Sequence, residues 1–239
     1  MKFFPDSTSP MLSKKLLLWD LDETLISTDE AGERAFERAA QSAFGQETSM
    51  NRIDYSGRTD PSIGILIQQH CGLPENFAEV EAFLEYFLRF LPKELPRGNP
   101  RILPGVDELT LLAGKDAAIG QGLLTGNLAA GAKIKLSYFG LWDRFPFGAF
   151  ADDASERELL GPIALDRATA FHKTDYTPEQ TIVIGDTLRD VACAQAFGAS
   201  CLAVASGKHG VDELQAAGAD CLVESLEDET AREFLGISF

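Results

Sequence analysis

The feature that most constrains this chain is a set of short, unbroken apolar runs, each closing on polar residues. Leu16-Leu17-Leu18-Trp19 leads into Asp20-Leu21-Asp22-Glu23-Thr24, Thr181-Ile182-Val183-Ile184-Gly185 leads into Asp186, and Cys201-Leu202-Ala203-Val204-Ala205 is a third run. A run without alternation suits a strand covered on both faces, the habit of a parallel sheet. Weaker runs lie at 117–124, 145–150 and 220–223, and helical periodicity fills the intervals at 104–113, 129–139, 156–171, 188–197 and 211–216. Strands alternating with amphipathic helices predict an α/β domain, a doubly wound parallel sheet with right-handed crossovers. Ligands of such sheets bind beyond the carboxyl ends of the strands, where these polar residues stand.

One stretch breaks the alternation. From 30 to 97 the pattern is helical throughout, at 31–44, 61–70 and 77–91, with no convincing strand. Phe83, Phe87 and Phe90 recur there with Leu84, Leu88 and Leu91 at helical spacing, which reads as the core of that segment. Pro92, Pro96, Gly98 and Pro100 mark the way back as a linker. The expected organisation is an α/β core from 1–29 and 98–239, interrupted by an all-helical insert at 30–97. A chain of 239 residues has room for both.

Lys and Arg number 21 against 37 Asp and Glu, a net charge of −16. That balance argues against general affinity for nucleic acid or an anionic membrane, which need a positive field. An anionic ligand must therefore be held by a local device: a metal, a few basic residues or a helix N-terminus. The four cysteines contain no C-x-x-C pair and are too sparse for a disulfide framework. The N-terminal residues 1–15 lack the apolar stretch of a secretory signal, and no run approaches the ~20 apolar residues of a membrane span. The expectation is a soluble, cytoplasmic protein.

The strand ends carry the chemistry. Asp20 and Asp22 are two apart, so in extended chain their side chains leave on one side and repel unless a cation intervenes. One could bind a metal and act as nucleophile while the other, protonated, donates to a leaving group; a solvated acidic turn is the plainer alternative. Asp186 and Asp190 lie one helical turn apart after another buried strand. Hard oxygen donors with no His or Cys among them suit Mg²⁺ rather than Zn²⁺, although a helix cap with a first-turn charge would look the same. Thr125-Gly126-Asn127, at a third strand end, offers a hydroxyl and backbone N–H groups at a helix start that could cradle a phosphate, or Thr125 could be a simple cap.

These motifs, in this order and on these strand ends, resemble motifs one, two and four of the haloacid dehalogenase superfamily, whose core is a Rossmann-like sheet and whose helical cap follows motif one. Ser56-Gly57-Arg58-Thr59-Asp60, Leu103-Pro104-Gly105-Val106 and Phe139-Gly140-Leu141-Trp142 are similar to the phosphoglycolate phosphatase-like branch. The resemblance implies a phosphoric monoester hydrolase acting on a small phosphorylated metabolite, such as phosphoglycolate. In it Asp20 becomes an aspartyl-phosphate and Asp22 is the general acid and base. Mg²⁺ is held by Asp20, the Asp22 carbonyl and Asp186, with support from Asp190. Thr125, Gly126 and Asn127 hold the phosphate. A sugar phosphomutase and a non-catalytic phosphate-binding regulator are the alternatives. The branch's usual Lys-Pro of motif three is missing; Arg157 is the first candidate for that cation and Lys173 the second. Arg58 is expected to face the substrate from the insert, unless it merely pairs with Asp54 or Asp60.

Overall fold

The computed structural model describes residues 14–238. The segment read above as lacking a secretory signal lies mostly outside them.

Six parallel strands form one sheet in the order β5-β4-β1-β6-β7-β8. The ranges are Lys15–Trp19 (β1), Ile119–Leu124 (β4), Gly148–Ala149 (β5), Thr181–Gly185 (β6), Ser200–Val204 (β7) and Cys221–Val223 (β8). Because β1 is central, alternate side chains enter opposite layers. Leu17 and Trp19 join Ile182 and Ile184 against α4 (Val106–Lys115), α5 (Ala129–Tyr138) and α9 (Glu229–Leu235), through Leu109, Leu136 and Leu235. Leu16 and Leu18 join Val183 against α6 (Leu160–His172), α7 (Leu188–Phe197) and α8 (Val211–Ala216), through Ala164, Val191 and Leu214. All four apolar residues of β1 are fully buried, which explains why its sequence shows no alternation. This is the doubly wound α/β fold.

The register fixes the site. Trp19 lies opposite both Leu123 and Ile184, so the polar tails that follow β1, β4 and β6 emerge side by side at one sheet edge.

The helical stretch forms its own core. α1 (Ala31–Phe44), α2 (Asp60–His70) and α3 (Phe77–Glu94) bury Ala35, Ala39, Ile67, Phe83 and Phe87 together. Phe36 stacks on Phe87 with ring centroids 4.1 Å apart. Two short strands that the sequence pattern does not reveal, β2 (Ile26–Ser27) and β3 (Arg101–Ile102), pair antiparallel where the chain leaves for these helices and returns. Pro92 does not open the linker: α3 runs through it to Glu94. Interior proline costs ~3 kcal/mol, but this one sits near the helix end, flanked by buried Leu91 and Leu95. Glu94 is fully buried among Arg34, Arg38 and Arg97. The helix expected at 156–171 starts with a 3₁₀ turn, Arg157–Leu159.

Candidate active site

The floor of the site has two corners. In the first, Asp20 follows β1 directly and its N–H donates to the Ile184 carbonyl of β6 at 2.9 Å. Asp186 follows β6, and its carboxylate accepts from the Thr24 hydroxyl at 3.3 Å. Asp190 sits in the first turn of α7, where Thr187 is the cap: Asp190 Oδ2 accepts from the Thr187 N–H at 3.0 Å and its hydroxyl at 2.6 Å. Asp20, Asp186 and Asp190 are all buried, with one carboxylate oxygen of each within 4.8 Å of the others.

Arg157 completes this corner. Its Nη2 lies 2.9 Å from Asp20 Oδ1 and also donates to Asp190 Oδ1. Cys193 Sγ donates to the Arg157 carbonyl at 3.2 Å, and Arg157 Nη1 donates to the Gly57 carbonyl in the insert at 3.2 Å. Lys173, the second candidate for the motif-three cation, is exposed in a left-handed conformation at the end of α6 and does not line the cavity. One guanidinium faces three buried carboxyls. Burial, only partly offset by Arg157, pushes Asp20 up to about 6. Burial and the charges of Asp190 and Asp20 hold Asp186 well above the usual carboxylate range. The corner is short of positive charge and its donors are all hard oxygens, so it fits Mg²⁺. Asp190 uses both oxygens on Arg157 and Thr187, which makes it a holder of Arg157 more than a free ligand.

The second corner joins Asp22 to motif two. Asn127 Nδ2 donates to Asp22 Oδ2 at 2.9 Å and to Thr125 Oγ1 at 3.0 Å. Thr125 is fully buried and its N–H pairs with the Ala149 carbonyl of β5 at 3.1 Å. It is not a helix cap: α5 begins at Ala129. The amides at that start are already engaged, Leu128 N–H to Asp60 Oδ2 at 2.7 Å and Ala129 N–H to Asp152 Oδ2 at 2.6 Å. Those two amides are not free for a phosphate, and within Thr125-Gly126-Asn127 the Asn127 N–H donates to Thr125 Oγ1 at 3.3 Å. Gly126 and Asn127 line the cavity, whereas Thr125 stands behind them.

Lys135 is the residue that the sequence reading missed. It is buried in α5, and its Nζ donates to Asp22 Oδ2 at 2.6 Å and to Asn127 Oδ1 at 2.7 Å. The signal was a lysine among Gly131, Ala132 and Leu136, the buried face of an otherwise ordinary helix.

The insert closes over both corners. Gly57, at φ +68°, lies against Thr187, and a Cβ on Gly126 would collide with the Arg58 carbonyl, so neither contact tolerates a side chain. The Asp60 N–H donates to the Gly126 carbonyl at 2.7 Å, and the Thr59 hydroxyl to the Ser155 carbonyl at 2.8 Å. Arg58 lines the cavity, but its Nε donates to the Asp54 carbonyl at 2.8 Å and its Nη2 lies 3.9 Å from the Asp54 carboxylate.

Residues 161–229 match the HAD-hydrolase-like family model. The probable phosphatase IndB of Dickeya dadantii is 29% identical over 224 residues, covering 90% of this chain and 91% of its own. Among solved structures, a predicted phosphoglycolate phosphatase from Haemophilus somnus superposes with a TM-score of 0.73 at 18% identity, over 93% of this chain and 99% of the other. CbbY from Rhodobacter sphaeroides, solved with phosphate, gives 0.70 at 23% identity, over 90% and 96%. The matched segment carries Asp186 and Asp190, the last of the ordered motifs read from the sequence. The chain is similar in sequence to HAD-like hydrolases over this segment and shares the fold of the solved phosphatases.

The cavity between sheet edge and insert has a volume of about 370 Å³. Asp20, Asp22, Asp186 and Arg157 line its floor, and Phe36, Met50, Ile53 and Tyr55 line the insert side with Glu30 and Glu33. The Tyr55 hydroxyl donates to Glu33 at 2.6 Å. Two carboxylates two residues apart and a buried guanidinium therefore share one small cavity. No helix among the described residues is long and apolar enough to cross a membrane.

Proposed function

We propose that the protein is a Mg²⁺-dependent phosphatase that hydrolyses a small organic phosphomonoester through an aspartyl-phosphate on Asp20. The observation that carries this reading is Asp20 itself, held by Arg157 at the floor of the cavity with Asp22 two residues away. An Asp20 oxygen attacks phosphorus while Asp22 passes a proton to the departing alcohol oxygen as its bond to phosphorus breaks. Water then attacks the same phosphorus, Asp22 takes its proton, and Asp20 is released. Arg157 keeps the Asp20 charge from repelling the phosphoryl oxygens. Mg²⁺, bound by Asp20, Asp186 and the Asp22 carbonyl, would neutralise the charge that builds on those oxygens. The insert serves as a lid that excludes bulk water.

The enclosure sets the size of the substrate, and its lining bears on the rest. The apolar side chains and the acids Glu30 and Glu33 favour a neutral, hydroxyl-bearing leaving group over the carboxylate of phosphoglycolate. The reading is tested with p-nitrophenyl phosphate in Mg²⁺ and in EDTA, on the wild type and on Asp20→Asn. Turnover is expected only with Mg²⁺ and to fall at least about a thousandfold in the variant. Comparable rates in EDTA or in Asp20→Asn would sink it. Release of inorganic phosphate from sugar phosphates, instead of an isomeric sugar phosphate, separates hydrolysis from mutase chemistry.

A further inference from the structure

We propose that Lys135 is the positioning residue that aims Asp22 at the leaving group; the proposal rests on the phosphatase reading. The two oxygens of Asp22 differ. Oδ2 accepts from Lys135 Nζ at 2.6 Å and from Asn127 Nδ2 at 2.9 Å, while Oδ1 is buried and has no hydrogen-bond partner among the described residues. A carboxylate is planar, so two donors fixed on Oδ2 set its torsion and turn Oδ1 the other way. The Asp22 side chain held in this way is still 37% exposed and lines the cavity, where it gives a proton to the departing alcohol and takes one from water.

Lys135 also decides how Asn127 stands. Ammonium has only donors, so the carboxamide must present Oδ1 to Lys135 Nζ, at 2.7 Å, and this leaves Nδ2 for Asp22 and Thr125. Without the lysine the amide is free to flip and to set oxygen against oxygen at Asp22. Lys135 is itself fixed: it is buried on α5, between the buried Ala132 and Leu136, and the charges of Asp22 and Asp60 outweigh burial and hold its pKa above the usual lysine range. A buried cation with two short acceptors and no slack is a good ruler.

A direct phosphate contact is the rival role, because Lys135 also lines the cavity. The two are separated by measuring kcat and KM on p-nitrophenyl phosphate, whose leaving group needs little protonation, and on glycerol 2-phosphate, whose leaving group needs much. The proteins are wild type, Lys135→Met, Lys135→Arg, Asp22→Asn and the Lys135→Met/Asp22→Asn double variant. A residue acting through Asp22 lowers kcat/KM on glycerol 2-phosphate by about tenfold or more and spares kcat/KM on the aryl ester, because kcat/KM reports the first phosphoryl transfer, whereas kcat also contains the water attack that both esters share. It also adds nothing once Asp22 is Asn. Lys135→Arg keeps the charge but misplaces the donors, so it should show the same selective loss in smaller measure, and it serves if Lys135→Met does not fold. A raised KM with kcat kept, equal losses of kcat/KM on both esters, or additive losses in the double variant would overturn the proposal. If the wild type hydrolyses neither ester, the phosphatase reading falls by itself. The inference is then judged by crystal structures: a rotated Asp22 carboxylate in Lys135→Met upholds it, and an unmoved one refutes it.

Discussion

The two corners of the cavity floor each set a carboxylate against a buried cation, and they differ in how the charges balance. At Arg157 two carboxylates, Asp20 and Asp190, share one guanidinium with Asp186 beside them, and burial drives Asp20 and Asp186 toward their neutral forms. At Lys135 one ammonium is shared by Asp22 and the neutral Asn127, with Asp60 near. The first corner is short of positive charge, which suits the Mg²⁺ proposed for it. The second is close to balanced and has no such need, so its ion pair is available to orient a proton donor. One helical strut decides each: α7 presents Asp190 to Arg157, and α5 presents Lys135 to Asp22.

The largest way to break that contrast is Arg157→Ala. Removing one member of a buried ionic cluster strands the others, at a cost of about 3–5 kcal/mol, and here it leaves Asp20 and Asp190 without their shared partner. Urea unfolding in EDTA should show that loss, and turnover should fall at least about a hundredfold. Arg157→Lys, with one nitrogen to serve two acids and the Gly57 carbonyl, should recover only part of it. If Lys135→Met destabilises the protein more than Arg157→Ala does, the corners have been ranked the wrong way round.

Why one corner was legible in the sequence and the other was not follows from where their residues stand. Asp20, Asp22, Asp186 and Asp190 all follow apolar runs, and a parallel sheet brings strand ends together whatever else the chain does. Arg157 could be proposed because it precedes the β6 strand in motif order. Lys135 lies inside an amphipathic helix, where a lysine ordinarily reads as solvated, and only the packing of α5 shows it to be buried. The same limit applies to Asp60, whose carboxylate serves the Leu128 amide from sixty-eight residues away. Two-residue strands such as Ile26–Ser27 are too short to carry a period. Thr125 was visible as a motif residue, but its role behind Asn127 depends on the Ala149 contact across the sheet.

A smaller effect is expected at the rim, outside both corners. Arg58, Arg189 and Lys208 all approach Asp54, at 3.9, 3.6 and 3.9 Å. Arg58 also uses its Nε on the Asp54 carbonyl. An exposed, shared pair is worth under about 1 kcal/mol, so Arg58→Ala should change kcat/KM within about fivefold, on aryl and alkyl phosphates alike. A loss confined to one metabolite phosphate and much larger than that would make the rim a third functional region and return Arg58 to substrate recognition.

The smallest effect sharpens the link between the insert and the Lys135 corner. Asp60 is buried at the start of α2, accepts the Leu128 N–H at 2.7 Å, and is pushed up to about 7 by burial, which the nearby Lys135 only partly opposes. A carboxyl whose folded pKa lies above its unfolded value binds protons more tightly when folded. Its contribution to stability is full below the ordinary aspartate value of 3.8 and is lost as pH rises through about 7. Asp60→Asn keeps an acceptor for the Leu128 amide and carries no proton to lose. Unfolding free energies measured from pH 4 to pH 8 should therefore fall more steeply with pH in the wild type than in the variant. By pH 8 the variant should be the more stable by on the order of 1 kcal/mol, after the lost attraction to Lys135 is subtracted. Parallel curves would mean that Asp60 stays ionised throughout. Lys135 would then be balanced by two full charges, and the second corner would carry the same excess of carboxylate that sets the first apart.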